Sequence, residues 1–241
     1  MSKKQIKYSV VIPLKNEEGN ISGLIEELEP VMNSLEESWE AICIDDGSTD
    51  RTLDILYQLA RKKNYLRILV FTKNFGQSSA FDAGFRAAKG EFVITLDGDR
   101  QNDPNDIPKL VELSKSYDLV CGRRQKRKDS ATKRIISFFA NRIRSWACQD
   151  GMKDTGCSLK VYRTASLAKI KMYHGMHRFL PALFLIEGFQ VAQIPVNHRE
   201  RTVGKTKYNL LNRSFNTISD MLAVRWMRKR QLKYQIKKEL P

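Results

Sequence analysis

Asp97 and Asp99, separated by one glycine, are the residues of this chain whose types and spacing most directly indicate chemistry. They follow the apolar run EFVITL, so they lie where a buried strand is predicted to end. Two ionised carboxylates held close together repel each other unless a cation neutralises them. Gln101 adds an oxygen ligand on the same side if the segment is extended. The spacing predicts a Mg²⁺ or Mn²⁺ site, with an ordinary Asp-Gly turn as the alternative.

A second acidic cluster, Asp45-Asp46-Gly47-Ser48-Thr49-Asp50, follows the apolar run EAICI. Its later residues suit the start of a helix, so part of the cluster can be explained as a helix cap. Asp46 could also accept hydrogen bonds from a nucleobase, either from N3–H of uracil or from N1–H and the exocyclic amine of guanine. The pattern favours nucleotide binding and fits either base.

The elements that must position these acids alternate between strands and helices. Strands are predicted at YSVVIPL, EAICIDD, RILVF, EFVITLD and DLVCG, with helices at 21–35, 49–63, 78–88 and 107–116. Asn20 is predicted to cap the first helix. This alternation predicts an α/β fold with a mostly parallel central sheet and helices on both faces. Ligands bind beyond the carboxyl ends of such strands, where both acidic clusters and the segment 15–18 are predicted to lie.

Charge is distributed unevenly along the 241 residues, whose net charge is +15. Residues 1–120 contain 15 Lys and Arg against 20 Asp and Glu, whereas residues 121–241 contain 27 against 7. The basic half could face nucleic acid, anionic lipid or phosphorylated small molecules. No helix-turn-helix or aromatic-rich strand is apparent, so we expect no nucleic-acid partner. The four cysteines show no C-x-x-C spacing and are predicted to be reduced core residues.

Four segments, in order, carry a resemblance to a known family: VVIPLKNEEGNI, IDDGSTDRT, NFGQSSAFDAGFRAAKGEFVITLDGDRQNDP and HRERTVGKTKYN. They resemble the inverting family 2 glycosyltransferases of the GT-A fold over about residues 7 to 208. Within that family the chain resembles the polyprenyl-phosphate branch, which includes dolichyl-phosphate mannose synthases and undecaprenyl-phosphate sugar transferases. The resemblance implies a hexosyltransferase with a GT-A domain over residues 1–208 and a C-terminal segment over residues 209–241.

The resemblance also implies roles for individual residues. The residues that it places at the nucleotide are Pro13, Glu17, Asp46 and Asp97. The residues that it places at the metal are Asp97, Asp99 and Gln101. Arg201 matches an arginine that contacts phosphate and is expected, with Asp99, to be catalytic; Lys207 closes the same motif. Arg123 and Arg134 lie where the family has basic residues near the sugar phosphate and the acceptor. Arg100 departs from the family, which usually has an apolar residue at this position.

The class of acceptor can be argued from chemistry. A hydroxyl acceptor needs a general base, whereas a phosphate monoester is already largely dianionic at neutral pH, because its second pKa is near ~6. The basic second half supplies the positive charge that a phosphate requires. We therefore expect a nucleotide-sugar donor and a polyprenyl phosphate acceptor. The alternatives are transfer to a sugar hydroxyl, with Asp154 or Glu187 as the base, and a degenerate relative that binds the donor without turnover.

The membrane surface is the expected location of the protein. No apolar run approaches the length of about eighteen residues that a membrane span requires, and the first residues do not resemble a secretory signal. Two helices are predicted to be amphipathic, with Trp146 and Trp226 on their apolar faces, and a basic tail follows the second. Such helices bind anionic membranes, although packing of both on the sheet is the alternative. We expect peripheral association with the cytoplasmic face.

Overall fold

The computed structural model describes residues 5–125, 144, 147–200, 210–232, 234 and 236–238. Its strands are β1 (Tyr8–Leu14), β2 (Trp39–Asp45), β3 (Leu66–Val70), β4 (Phe92–Thr95), β5 (Leu119–Arg124), β6 (Lys160–Arg163) and β7 (Val191–Val196). These strands form one sheet in the order β3-β2-β1-β4-β6-β5-β7. Strand β6 is antiparallel to β4 and β5, and the other adjacent strands are parallel. The predicted α/β fold with a mostly parallel sheet is confirmed.

The helices of the described residues are α1 (Ile21–Asn33), α2 (Thr52–Ala60), α3 (Gln77–Ala87), α4 (Ile107–Ser114), α5 (Thr164–Leu167), α6 (Leu180–Ile186) and α7 (Leu210–Arg230). The first four lie between strands, as predicted. Asn20 occupies the N-cap position of α1 as predicted, but its side chain makes no capping hydrogen bond. Its backbone is already helical, and its side-chain amide donates instead to the carboxylate of Glu17 at 2.7 Å.

Helices cover both faces of the sheet because successive residues of a strand point to opposite sides. In β1, Val10 and Ile12 pack in a cluster with Leu24 of α1, whereas Val11 packs in a second cluster with Phe81 of α3. The three β1 side chains are fully buried. Packing on both faces fixes the strands, and it thereby fixes the loops that follow their carboxyl ends.

Helix α7 packs on the body of the protein through one side only. Met221 and Val224 are buried in a third cluster that also contains residues of α6. On another side of the helix, Ile218, Leu222 and Trp226 are 51%, 57% and 63% exposed. The part of the predicted apolar face whose side chains the structure describes therefore faces outward. Residues 145 and 146 of the other predicted amphipathic helix lie outside the described residues.

Candidate active site

The carboxyl ends of β1, β2 and β4 bring the predicted acidic segments to one edge of the sheet. The backbone N–H of Asp46 donates to the carbonyl of Leu14 at 2.8 Å, which joins the ends of β1 and β2. Gly98 approaches β1 so closely that an added Cβ would lie 2.3 Å from Cδ2 of Leu14 and 3.4 Å from Cγ of Glu17. Because glycine has no Cβ, the turn after β4 can pack against the β1 loop.

Asp97 and Asp99 interact electrostatically at the end of β4. Asp99 is buried and Asp97 is partly buried. Burial, followed by the negative charge of Asp99, raises the pKa of Asp97 to about 6. The nearby hydroxyl of Ser158 and the charges of Lys160 and Arg124 oppose that increase without cancelling it. The negative charge of Asp97 is therefore only partly compensated by its neighbours, and a bound cation would stabilise its ionised form.

Three side chains that we did not identify from the sequence surround Asp97. Gln77, the first residue of α3, donates from Nε2 to Oδ1 of Asp97 at 2.9 Å. The Ser158 hydroxyl donates to Oδ1 of Asn102 at 2.6 Å and lies close enough to Asp97 to lower its pKa. Lys160 is buried with its ammonium group on the carbonyl of Cys157. The segment SLKVY contains a signal for Lys160, because a lysine inside an apolar strand is rarely buried without a function or a partner.

The segment after Asp99 is a turn and not the extended segment on which the predicted role of Gln101 depended. Arg100 has a φ of +58°, in the left-handed region that non-glycine residues seldom adopt. The backbone N–H of Gln101 donates to Oδ1 of Asp99 at 3.1 Å, and its side-chain amide donates to the carbonyl of Arg199 at 3.4 Å. The extended geometry that supported Gln101 as a ligand is therefore wrong, and its metal-binding role stays a prediction.

Asp46 holds the loop that leads into α3. Its carboxylate accepts hydrogen bonds from the backbone N–H of Phe75 at 2.7 Å and of Gly76 at 3.0 Å. Each carboxylate oxygen can accept more than one hydrogen bond, so recognition of a nucleobase by Asp46 stays a prediction. The roles of Pro13 and Glu17, which the structure places at this same edge, also stay predictions.

The helix-cap explanation of the second acidic cluster is correct for one of its members. Oδ1 of Asp50 accepts a hydrogen bond from the backbone N–H of Thr52, the first residue of α2, at 3.0 Å. The hydroxyl of Thr52 donates to the same oxygen at 2.6 Å. Asp50 thus stabilises the first turn of α2. Asp46 is the residue of this cluster that has a predicted role in nucleotide binding.

Arg123 and Arg124 end β5 and point to opposite faces of the sheet. Arg124 binds both oxygens of Asp154, from Nε and from Nη2, each at 2.8 Å. Burial tends to raise the pKa of Asp154, but the hydrogen bonds and charge of Arg124 and the backbone N–H of Gly156 lower it overall. Arg123 makes no side-chain hydrogen bond or ion pair within the described part of the chain. It can therefore accept an external anion.

The remaining predicted phosphate-binding residues, Arg134, Arg201 and Lys207, lie outside the described residues. Their roles stay predictions. Strand β7 ends at Val196 and leads through His198 towards this basic segment. His198 pairs with Asn102 in an antiparallel bridge, which brings the start of the basic segment next to the turn after Asp99.

The oxygen donors at the end of β4 fit Mg²⁺ or Mn²⁺. These ions are bound by carboxylate and amide oxygens, together with substrate phosphates and water. Among the residues that the structure describes, no group of three or more His, Cys, Asp and Glu side chains could hold a metal. An ion at this site would therefore depend on Asp97 and Asp99, with further oxygens from Gln101, the substrate or water.

Solved glycosyltransferase structures share this fold. Glucosyl-3-phosphoglycerate synthase from Mycobacterium tuberculosis, in complex with Mn²⁺, UDP-glucose and phosphoglyceric acid, has a TM-score of 0.71 at 20% identity. That similarity covers 92% of this chain and 80% of the synthase. The same synthase with Mg²⁺ and UDP has a TM-score of 0.68 at 18% identity, over 92% of this chain and 79% of the synthase. The chain therefore has the GT-A fold of nucleotide-sugar glycosyltransferases.

The sequence profile of Glycosyl transferase family 2 matches residues 9–170, and this chain belongs to that family. Dodecaprenyl-phosphate galacturonate synthase from Rhizobium johnstonii is 38% identical over 92% of this chain and 67% of the relative. Undecaprenyl-phosphate 4-deoxy-4-formamido-L-arabinose transferase from Photorhabdus laumondii is 36% identical over 92% of this chain and 69% of the relative. The chain thus spans about two thirds of the length of these relatives. The predicted family, polyprenyl-phosphate branch and glycosyltransferase class are confirmed.

Proposed function

We propose that this glycosyltransferase is metal-dependent and moves a sugar, with inversion, from a nucleoside diphosphate to a polyprenyl phosphate. The observation that carries the proposal is the arrangement at one edge of the sheet, where Asp97 and Asp99 follow β4 and Arg123 lies at the carboxyl end of β5. A metal-bound diphosphate suits the acidic side, and an acceptor phosphate suits the basic side. The names of the two relatives support this acceptor.

The described residues have distinct tasks in this reaction. Asp97 and Asp99 would hold Mg²⁺ or Mn²⁺, which would stabilise the negative charge of the departing nucleoside diphosphate. Gln77 orients Asp97 through its hydrogen bond. Arg123 attracts the acceptor phosphate, whose oxygen bonds to the anomeric carbon as the bond from that carbon to the diphosphate breaks. Because the phosphate is already ionised, no side chain has to remove a proton.

Transfer to a sugar hydroxyl is the second candidate, and two observations count against it. Asp154 is held by Arg124 and its pKa is lowered, so it is a poor acceptor of protons. Glu187 lies between the end of α6 and the start of β7. In the same connection, the carbonyl of Gln190 accepts a hydrogen bond from the backbone N–H of Leu119, the first residue of β5. Glu187 therefore lies at the opposite edge of the sheet from Asp97.

A matched pair of acceptors tests the reaction. The protein is incubated with UDP-sugars and GDP-sugars, Mn²⁺ or Mg²⁺, and either undecaprenyl phosphate or undecaprenol, and products are identified by mass spectrometry. We expect a sugar on undecaprenyl phosphate, release of the nucleoside diphosphate, no product with undecaprenol, and loss of product after chelation of the metal. Transfer to a hydroxyl acceptor, or full turnover with chelator, would contradict the proposal. The donor that reacts identifies the base.

We further propose that the outward face of α7 binds an anionic membrane surface. Leu222 and Trp226 are exposed there, and helical spacing places Lys229 on the same side. Trp226 also lines an open groove of about 630 Å³ between α6 and α7, whose rim includes Lys169 and Lys171. Apolar side chains that enter the headgroup region and basic side chains that attract anionic lipid act together at such a surface. None of the described helices is long and apolar enough to cross a bilayer.

Vesicle sedimentation tests this surface. The protein is mixed with vesicles of phosphatidylcholine alone or with phosphatidylglycerol, at low and high salt. We expect binding to the anionic vesicles that salt weakens, and a several-fold loss of binding in the double variant Leu222→Ser/Trp226→Ser. Tyr57→Ser removes a comparably exposed ring from α2 and is the control. Absence of binding at low salt, or equal binding by the double variant and the control, would contradict the proposal.

A further inference from the structure

We propose that Glu27 is a positioning residue that ties the metal-binding turn to the segment after β7, through Arg100 and Arg199. Glu27 belongs to α1 and lies outside the residues that we assigned to nucleotide, metal or phosphate. The inference rests on one part of the proposed function, namely that the turn between Asp99 and Gln101 belongs to a site for metal and nucleotide.

Each oxygen of the Glu27 carboxylate binds a different arginine. Oε1 accepts from Nη2 of Arg100, and Oε2 accepts from Nη1 of Arg199. Arg199 also donates from Nη2 to Oδ1 of Asp103 at 2.8 Å. The side chains of Glu27, Arg100 and Arg199 are 28%, 33% and 37% exposed, so the network is only partly shielded from water. One carboxylate of α1 thus connects two segments that are about a hundred residues apart in sequence.

The first of these segments is the turn after β4. Arg100 lies between two predicted metal ligands, and its left-handed backbone sends its side chain back over α1. The guanidinium lies against Gly23, where an added Cβ would be 2.6 Å from Nη1 of Arg100. A glycine inside a helix lowers helix stability, but here its missing side chain leaves space for this guanidinium. Glu27 therefore anchors the conformation of the residue that separates Asp99 from Gln101.

The second segment follows β7. The backbone N–H of Arg199 donates to the carbonyl of Gln101 at 2.9 Å, and the side-chain amide of Gln101 approaches the carbonyl of Arg199. Two residues further along the chain is Arg201, the predicted phosphate ligand. Glu27 consequently fixes, through two arginines, how the segment after β7 lies against the metal-binding turn. A small displacement of either segment would change the distance between donor and acceptor phosphates.

A second ion pair on the same helix provides a matched control. Glu29 binds Lys63, and their side chains are 33% and 20% exposed. This pair resembles the Glu27 pairs in exposure, but it joins α1 to the segment after α2 and does not touch the turn after β4. If Glu27 served only to stabilise α1, then Glu27→Gln and Glu29→Gln would have similar consequences.

The test compares wild type, Glu27→Gln and Glu29→Gln by calorimetry with Mn²⁺ and either UDP or GDP, and by the rate of sugar transfer to undecaprenyl phosphate at saturating donor. We expect Glu27→Gln to weaken nucleotide binding roughly tenfold and to lower kcat at saturating donor, with Glu29→Gln close to wild type in both. Thermal unfolding establishes that each variant is folded.

The inference is overturned if Glu27→Gln matches Glu29→Gln in both nucleotide affinity and kcat. If Glu27→Gln does not fold, Arg100→Gln releases the same carboxylate from the turn, and the same comparison applies. If wild type binds nucleotide with Mn²⁺ but transfers no sugar to a polyprenyl phosphate, the proposed function is contradicted. The nucleotide affinities of Glu27→Gln and Glu29→Gln would still test the role of Glu27. A wild type that binds no nucleotide would contradict both.

Discussion

The end of β4 and the loop before β6 each place an aspartate near the same edge of the sheet, but their charges are compensated differently. Asp97 has a pKa raised to about 6 by burial and by Asp99. Asp154, in contrast, has a lowered pKa because Arg124 binds both of its oxygens and outweighs the effect of burial. The comparison indicates that the charge of the neighbouring groups, and not burial alone, determines which carboxylate suits a metal ion.

Asp99→Ala gives the largest expected effect, because it removes a carboxylate that the proposed metal ion requires. We expect kcat for sugar transfer to fall by about 10³-fold or more, with the fold retained. Product formation by mass spectrometry and circular dichroism of the variant check this. Metal-dependent turnover at the wild-type rate by a folded variant would contradict the role of Asp99.

Asp154→Asn should act mainly on stability, because Arg124 would lose its bidentate partner while largely buried. The side chains of Arg124 and Asp154 are 18% and 12% exposed. We expect the free energy of unfolding to fall by about 3 kcal/mol, measured by urea denaturation. Mn²⁺-dependent nucleotide binding should persist in the variant. Loss of nucleotide binding without loss of stability would show that Asp154, and not Asp97, belongs to the metal site.

Asp97→Asn should stabilise the metal-free protein in a pH-dependent manner. A carboxyl whose pKa is raised in the folded state costs stability above that pKa, and the cost disappears as pH falls through about 6 towards the ordinary value of 3.8. In chelator at about pH 7.5 the variant should therefore be more stable than wild type, by at most about 3 kcal/mol. Urea unfolding at about pH 7.5 and about pH 4.5 measures the difference, which should shrink at the lower pH. A constant difference would contradict the raised pKa.

Arg123→Ala gives the smallest of these effects, and its neighbour provides the control. We expect kcat to fall by roughly 10- to 100-fold with little change in unfolding free energy, because Arg123 has no partner among the described residues. Arg124→Ala should instead lower stability through the loss of the Asp154 pair. Kinetics and urea denaturation of the two variants separate the roles. Equal losses of stability would show that Arg123 is also structural.

The sheet and the position of its acidic edge could be predicted from the sequence, because alternating strands and helices place the carboxyl ends of parallel strands together. The surroundings of Asp97 could not be predicted in this way. Lys160 and Ser158 come from the region of β6, which pairs antiparallel with β4 and brings Lys160 opposite Thr95. A local pattern contains no information about a pairing between such distant segments.

Helix α7 shows a second limit of sequence patterns. Its periodicity predicted an apolar stripe that includes Leu222 and Trp226, and that stripe exists but remains exposed. The packed side is formed by Met221 and Val224, because the third hydrophobic cluster offers them partners such as Met176. The helix carries apolar residues on two sides, so the sequence alone could not determine which side packs on the protein.

Calorimetric titration of Mn²⁺ with UDP or GDP into wild type, Asp99→Asn and Asp154→Asn tests the central claim most directly. The account predicts metal-dependent nucleotide binding by wild type and by Asp154→Asn, and its loss in Asp99→Asn. Metal-dependent binding that survives in Asp99→Asn and disappears in a folded Asp154→Asn would contradict the claim that the acidic end of β4 is the metal site.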